Sequence, residues 1–548
     1  MNLQNSMKGY VRMSSVINRR DFLKKAGLAA ASAAVAWQQG CAAEPPAKTD
    51  NRPNIVLIMA DDMGFSDLGC YGSEIHTPNL DHLAAGGLRF KQFYNAARCC
   101  PTRASLLTGL YPHQAGMGQM TNEKGDINPP GAYEGYLNDK CVTIAEVLKT
   151  AGYTTLMAGK WHVGESRPHW PVDRGFDRYY GLISGAANYF DITMAKSANK
   201  TRRFAVDDKP YVPPPENFYI TDAFTDNALN FLDQYGRKQN PFFLYLAYTA
   251  PHWPLHALPE DIAKYKGKYM DGWDALRRKR HKRMIEMGIV DAKWPLSPRD
   301  DGAVAWETVE DKKLMDLKMA IYAAQIDRMD QNIGRILTKL KEIDKEKNTL
   351  VMFLSDNGGC HETGPLGFDR RNNGLPPGGV DSYMSYGQSW ANASNTPFRM
   401  FKKFTHEGGI ATPLIVRWPA VVKDKGTLTN QPGHIVDIMA TCVDLAGAHY
   451  PQKFRGKRIV AMQGTSLLPV FQGKKRKPHD YLFWEHIGHK AVRHGKWKLV
   501  AKKKDDWELY DLEKDRTEMN NLADKYPQIV AHLKGKYEQW ASMVGVRR

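Results

Sequence analysis

The feature that most constrains the fold of this 548-residue chain is a set of short runs that are apolar at nearly every position. Residues 54–60 (NIVLIMA), 242–248 (FFLYLAY) and 350–354 (LVMFL) do not alternate, and each gives way abruptly to polar residues. A strand with one wet face alternates; a strand apolar throughout has to be covered on both faces, as in a parallel sheet flanked by helices. Further strands are expected at 88–94, 153–158 and 411–418. Helical patterns at 79–85, 143–150, 219–235 and 314–345 fall between them. Alternating strands and helices define the α/β class, here a large mixed, mostly parallel sheet sandwiched by helices.

In such sheets ligands bind beyond the carboxyl ends of the strands. Four strand ends deliver polar residues there: Asp61 and Asp62, Lys160 with His162, His252, and Asp356 with Asn357. Any one of these fits a turn or a helix cap, but four together do not. Three carboxylates and an amide with no thiol among them favour a hard divalent cation, Ca²⁺ or Mg²⁺. Arg103, Lys160 and Lys402 add positive charge, and His162 and His252 are the candidate acid and base. Such a centre suits a multiply oxygenated anion, and sulfate and phosphate esters both fit.

Residues 97–109 (ARCCPTRASLLTG) add the nucleophile. Pro101 fits the first turn of a helix, which places Cys99 just before the positive end and Arg103 one turn later, able to point back toward position 99.

The remainder of the chain sets the context. Asn18-Arg19-Arg20-Asp21-Phe22-Leu23-Lys24 followed by an apolar run over 26–37 reads as a twin-arginine export signal within residues 1–45. Gly40-Cys41 offers a lipoprotein cleavage point, although Gln38 stands where such signals carry an apolar residue, so lipid anchoring through Cys41 is the lesser alternative. The expected location is periplasmic or extracellular. The net charge of +17 suits acidic partners such as anionic polysaccharide, sulfated small molecules or nucleic acid, or is simply a solvated basic surface. Arg277-Arg278-Lys279-Arg280-His281-Lys282-Arg283 reads as the solvated face of an amphipathic helix, because Trp273, Leu276, Met284 and Met287 fall at helical spacing. No nucleic acid is therefore expected. The cysteines of the mature chain show no C-x-x-C spacing and read as buried thiols. Residues 363–397 read as a long loop walling the substrate pocket, with Arg167, Trp170 and His256 as further lining. The main domain is expected over 52–430. Residues 431–548, with hairpin-spaced strands and a terminal helix, make a smaller C-terminal α+β subdomain carrying an antiparallel sheet.

At this point the motifs resemble, in order, those of the type I sulfatases of the alkaline phosphatase superfamily. Cys99-Cys100-Pro101-Thr102-Arg103 with Leu107-Thr108-Gly109 matches the C-x-P-S/T-R signature. ADDMGFSDLGCYG, GYTTLMAGKWHVG, APHWP, SDNGG and FKKFTHEGGIATPLIVRWP match the other segments, so the resemblance covers nearly everything from Asn54 on. It implies conversion of Cys99, not Cys100, to formylglycine, whose hydrate attacks sulfur, and C–O cleavage then frees the sulfate. It implies Ca²⁺ on Asp61, Asp62, Asp356, Asn357 and the modified Cys99. Arg103 would stabilise the hydrate, Lys160 and Lys402 would hold sulfate oxygens, His252 would protonate the leaving alcohol, and His162 would help expel sulfate. The spacing to Glu407 selects Lys402 over Lys403. The implied activity is an arylsulfatase-type sulfuric ester hydrolase. Its implied partners are a sulfated small molecule or glycan, a formylglycine-generating maturase and the export machinery. The alternatives are a phosphonate or phosphate-diester hydrolase and a non-catalytic binder of sulfated glycan.

Overall fold

The computed structural model describes residues 50–122, 124–194 and 202–547; the export signal and Cys41 lie outside the described residues. The principal strands are β1 (Asn54–Ala60), β2 (Leu88–Tyr94), β3 (Thr154–Gly159), β4 (Arg178–Leu182), β5 (Phe242–Ala247), β6 (Thr349–Ser355) and β7 (Ala411–Arg417). The large sheet runs β2-β7-β6-β1-β5-β3-β4, with short strands extending both edges. β6, β1, β5, β3 and β4 are mutually parallel, and β7 runs antiparallel between β6 and β2.

This order explains why the strands are apolar throughout. Every residue of β1, β5 and β6 is buried, because helices cover both faces. The principal helices are α1 (Pro78–Ala85), α2 (Cys99–Thr108), α3 (Ile144–Thr150), α4 (Ile220–Tyr235), α5 (Gly272–Glu286), α6 (Lys312–Glu342), α7 (Gly387–Ser394), α8 (Asp437–Ala446) and α9 (Pro527–Val544). Side chains pointing to opposite faces of one strand enter different cores: Val56 and Ile58 join one cluster, Ile55, Leu57 and Met59 the other.

The smaller antiparallel sheet comprises β8 (Leu482–His486), β9 (His489–His494), β10 (Trp497–Ala501) and β11 (Glu508–Asp511), with α9 packed on it through Leu533, Tyr537 and Trp540. The expected boundary at 430/431 falls at the edge of the large sheet, since Gly433–His434 pairs with β2 and α8 packs on α2 and α3. Residues 51–548 form one compact unit.

Two expectations are corrected. The basic run lies on α5 as expected, but two of its arginines are interior. Arg280 is fully buried, with Nη1 2.6 Å from Asp67 and both other nitrogens 2.9 Å from Glu74, and Arg277 donates to Ser297. The run braces the segment after β1, where the buried Asp67 carboxylate needs counter-charge. The second concerns residues 363–397, which contain the helix α7. Its Gly, Ser and Asn content gives poor helix propensity. Packing decides instead: Trp390 sits 5.2 Å from Trp273 and 5.9 Å from Trp306, ring to ring, and donates to the carbonyl of Met315.

Candidate active site

The four parallel strands β6, β1, β5 and β3 are adjacent, so their carboxyl ends deliver Asp356, Asp61, His252 and Lys160 to one edge. β7 runs the other way, and the residues entering it therefore lie at the same edge and bring Lys402. β2 ends there too and leads into α2 with Cys99. Close backbone approach fixes the junction: a Cβ on Gly358 would lie 1.8 Å from the carbonyl oxygen of Gly408. Asp62, Ala97, His162, Met400 and Lys403 all have φ between 58° and 85°. Non-glycine residues in that region cost about 1–3 kcal/mol each and concentrate where a site is over-determined by its surroundings.

The helix α2 begins at Cys99, two residues before its expected start, with Arg98 as an extended cap (φ −156°) whose carbonyl accepts the amide of Thr102 at 2.9 Å. Cys99 is thus in the first turn. Gly109 closes the helix in the left-handed conformation. The sulfur atoms of Cys99 and Cys100 and a ring nitrogen of His162 lie within 4.8 Å of one another. A hydrogen bond from Cys100, opposed by burial and helped by Lys160 and His162, holds the Cys99 thiol well below its usual pKa, while burial pushes Cys100 well above. All six cysteines among the described residues are free and buried, as expected.

Arg103 is committed to carboxylates, and Cys99 is also among the groups whose charge acts on it. Its Nη2 and Nε lie 2.8 and 3.1 Å from Asp356 Oδ2, Nη1 donates to the carbonyl of Lys160 at 2.9 Å, and Asp61 Oδ2 is 3.8 Å away. A carboxylate with no exposure demands this partner. Lys160 Nζ lies 2.5 Å from Asp61 Oδ2. Burial raises the Asp61 pKa, but Lys160, His252 and Arg103 more than reverse that and hold it at about 2. Burial and the neighbouring Asp61 push Asp356 well up against Arg103. Lys402 Nζ lies 2.8 and 2.9 Å from the two oxygens of Asp62 and 3.2 Å from His252 Nε2. His252 Nδ1 faces the carbonyl of Trp253 at 2.6 Å. Burial lowers the pKa of both His162 and His252.

Three carboxylates and three cations therefore converge with Asn357, whose Nδ2 donates to Asp62 Oδ1 at 2.7 Å. Two acceptor atoms are left over: Asp61 Oδ1 and Asn357 Oδ1 are buried without a hydrogen-bond partner. Orphaned buried oxygens are costly, and in an oxygen-only donor set they fit a hard divalent cation.

The cavity over Cys99 has a volume of about 380 Å³ and is lined by Arg98, His162, Arg202, His252, Trp253, Arg370 and Lys402; the Trp253 ring lies 4.5 Å from that of His252, and Arg370 lies over Trp253. Three residues expected as lining are elsewhere. Trp170 is buried against Glu165, Arg167 pairs with Asp173 near the surface, and His256 is fully buried between Tyr189 and Ser382. Arg98 and Trp253 stand next to Cys99 and His252 in sequence, and that adjacency was the signal for them. Thr363 and Arg370 come from the 363–397 segment expected to wall the pocket.

Fold and site define an α/β protein with a metal-competent centre for a charged oxyanion. Residues 53–448 match the sulfatase family model, and residues 398–542 match that of the N-sulphoglucosamine sulphohydrolase C-terminal region. The chain is 36% identical over 521 residues to an uncharacterised sulfatase of Schizosaccharomyces pombe, covering 88% of this chain and 92% of that protein. It is 36% identical to an arylsulfatase of Klebsiella aerogenes, covering 78% and 94%. The crystal structure of Ps i-CgsB in complex with k-i-k-neocarrahexaose is similar at a TM-score of 0.67 and 27% identity, covering 89% of this chain and 93% of that one. The chain belongs to the type I sulfatase family and is a sulfuric ester hydrolase.

Proposed function

We propose that the chain is an arylsulfatase-type enzyme that cleaves a sulfate monoester to alcohol and sulfate, with residue 99 as formylglycine and Ca²⁺ as its metal. The observation that carries this reading is the pair of orphaned oxygens, Asp61 Oδ1 and Asn357 Oδ1, beside Cys99. Asp61, Asp62, Asp356, Asn357 and the modified residue 99 would hold the ion, which supplies positive charge to the sulfate, while the aldehyde hydrate supplies the nucleophilic oxygen.

This chain's own groups do the rest. Lys160 and Lys402 lie at the reacting end and neutralise sulfate oxygens as charge develops. Arg103 fixes Asp356 and Asp61 and adds positive charge close to position 99, where it would stabilise the hydrate. His252, with Nδ1 committed to the Trp253 carbonyl, presents Nε2 to the leaving oxygen and delivers its proton there. His162, beside residue 99, handles the proton that leaves the hydrate. A periplasmic or extracellular location rests on the twin-arginine pattern at Asn18-Arg19-Arg20-Asp21-Phe22-Leu23-Lys24 alone.

Mass spectrometry of the natively expressed peptide spanning Cys99 tests this reading. The aldehyde and its hydrate are expected; an intact thiol in active protein overturns it.

A further inference from the structure

The cations around the cavity are not equally neutralised. Lys402 is paired with Asp62, and Arg98 and Lys403 share Glu362 at 3.4 and 2.7 Å. Arg202 donates to the carbonyl of Ala186. Arg370 differs. Its guanidinium lies over the rings of Phe368 and Trp253, 4.3 and 4.9 Å from their centroids, and its Nη1 is buried without a hydrogen-bond partner. Among the described residues no carboxylate pairs with it. Its backbone is fixed, since its amide donates to the carbonyl of Tyr383 at 3.0 Å and the two rings meet edge to face at 5.3 Å. A rigidly held, half-desolvated guanidinium with no counter-charge is costly unless a ligand supplies the anion.

We propose that Arg370 is a specificity residue that binds a second anionic group, a sulfate or carboxylate, on the leaving portion of the substrate. The substrate class is then a polyanionic saccharide rather than a simple aryl sulfate. This rests on the sulfatase reading for which end of the cavity holds the scissile sulfate. The planar guanidinium suits bidentate pairing with sulfate or carboxylate oxygens, and the aromatic wall leaves one of its faces and edges for that pairing. The volume of about 380 Å³ is sufficient for a leaving group larger than a phenol.

The test uses binding, so that it does not depend on turnover. The full chain carrying C99A is titrated calorimetrically with a monosulfated disaccharide and with the same disaccharide bearing a second sulfate. The disulfated ligand is expected to bind at least about tenfold tighter. Arg370→Met in the same background should abolish that difference while leaving the monosulfated ligand within about twofold, and Arg370→Lys should restore part of it. Equal affinity of the parent for both ligands overturns the proposal, as does an equal loss on both ligands in Arg370→Met. If the native protein releases no sulfate from any ester, the sulfatase mechanism fails, and the binding difference still decides the role of Arg370.

Discussion

Arg103 Nη2 lies 2.8 Å from Asp356 Oδ2, and neither side chain has any exposure. The arginine of the cysteine motif is therefore the counter-charge of a carboxylate 253 residues away, on the end of β6.

Removing one partner of such a pair strands the other. Arg103→Ala should destabilise the protein by about 3–5 kcal/mol. Chemical denaturation at pH 7 measures this. Arg103→Ala with unchanged stability would mean that Asp356 finds another partner.

Lys402 and Lys160 are expected to act on the sulfate oxygens as preorganised donors. Lys402→Ala should lower kcat by about 10²–10³. Steady-state turnover of 4-nitrophenyl sulfate is the assay. A change confined to KM would place Lys402 in ground-state binding only. Preference in kcat/KM for the phosphodiester analogue would move the enzyme to the alternative reaction.

Chelation should abolish turnover, and Ca²⁺ should restore it better than Mg²⁺, because Ca²⁺ accepts a larger number of protein oxygens in flexible geometry whereas Mg²⁺ keeps several waters. Saturation at about 100 times Kd should stabilise the fold by about 2.7 kcal/mol. The shift in melting temperature with added Ca²⁺ reads this directly, and Asn357→Ala should weaken it.

The C-terminal sheet is fastened to the main sheet by a buried charge cluster. Lys498 lies 2.9 Å from Glu407 and 2.7 Å from Glu518, and Arg516 lies 2.9 Å from Glu407. Burial pushes the Glu407 carboxyl up, but Lys498 and Arg516 hold it at about 2. Since the folded value is depressed, its contribution is complete above the unfolded pKa near about 4.3 and is lost as pH falls from there toward 2. Denaturant midpoints should therefore fall between pH 5 and pH 3. Glu407→Gln should flatten that part of the profile.

The sequence was most legible where one residue type has one physical use. Asn54–Ala60 could be bounded to the residue, because an apolar run of strand length leaves few alternatives. Asp61, Lys160, His252 and Asp356 could be assigned to one edge for the same reason, as polar groups at the carboxyl ends of buried strands. The helix α7 could not be read from its own residues, since its stability comes from Trp390 meeting Trp273 and Trp306.

What the sequence determined by itself was local: strand identity, the cysteine at a helix start, and the chemistry of the residues gathered at the sheet edge. Which charge answers which was decided only by tertiary structure. Helical spacing puts Arg103 within reach of position 99; that burial without solvent also ties it to Asp356, and draws Arg280 inward to Asp67, follows only from tertiary structure. The antiparallel course of β7, which brings Lys402 to the edge from the strand's entering end, and the unneutralised Arg370 depend on contacts between distant segments. Pair energies of that kind are set by three-dimensional proximity and desolvation, neither of which is written in spacing along the chain.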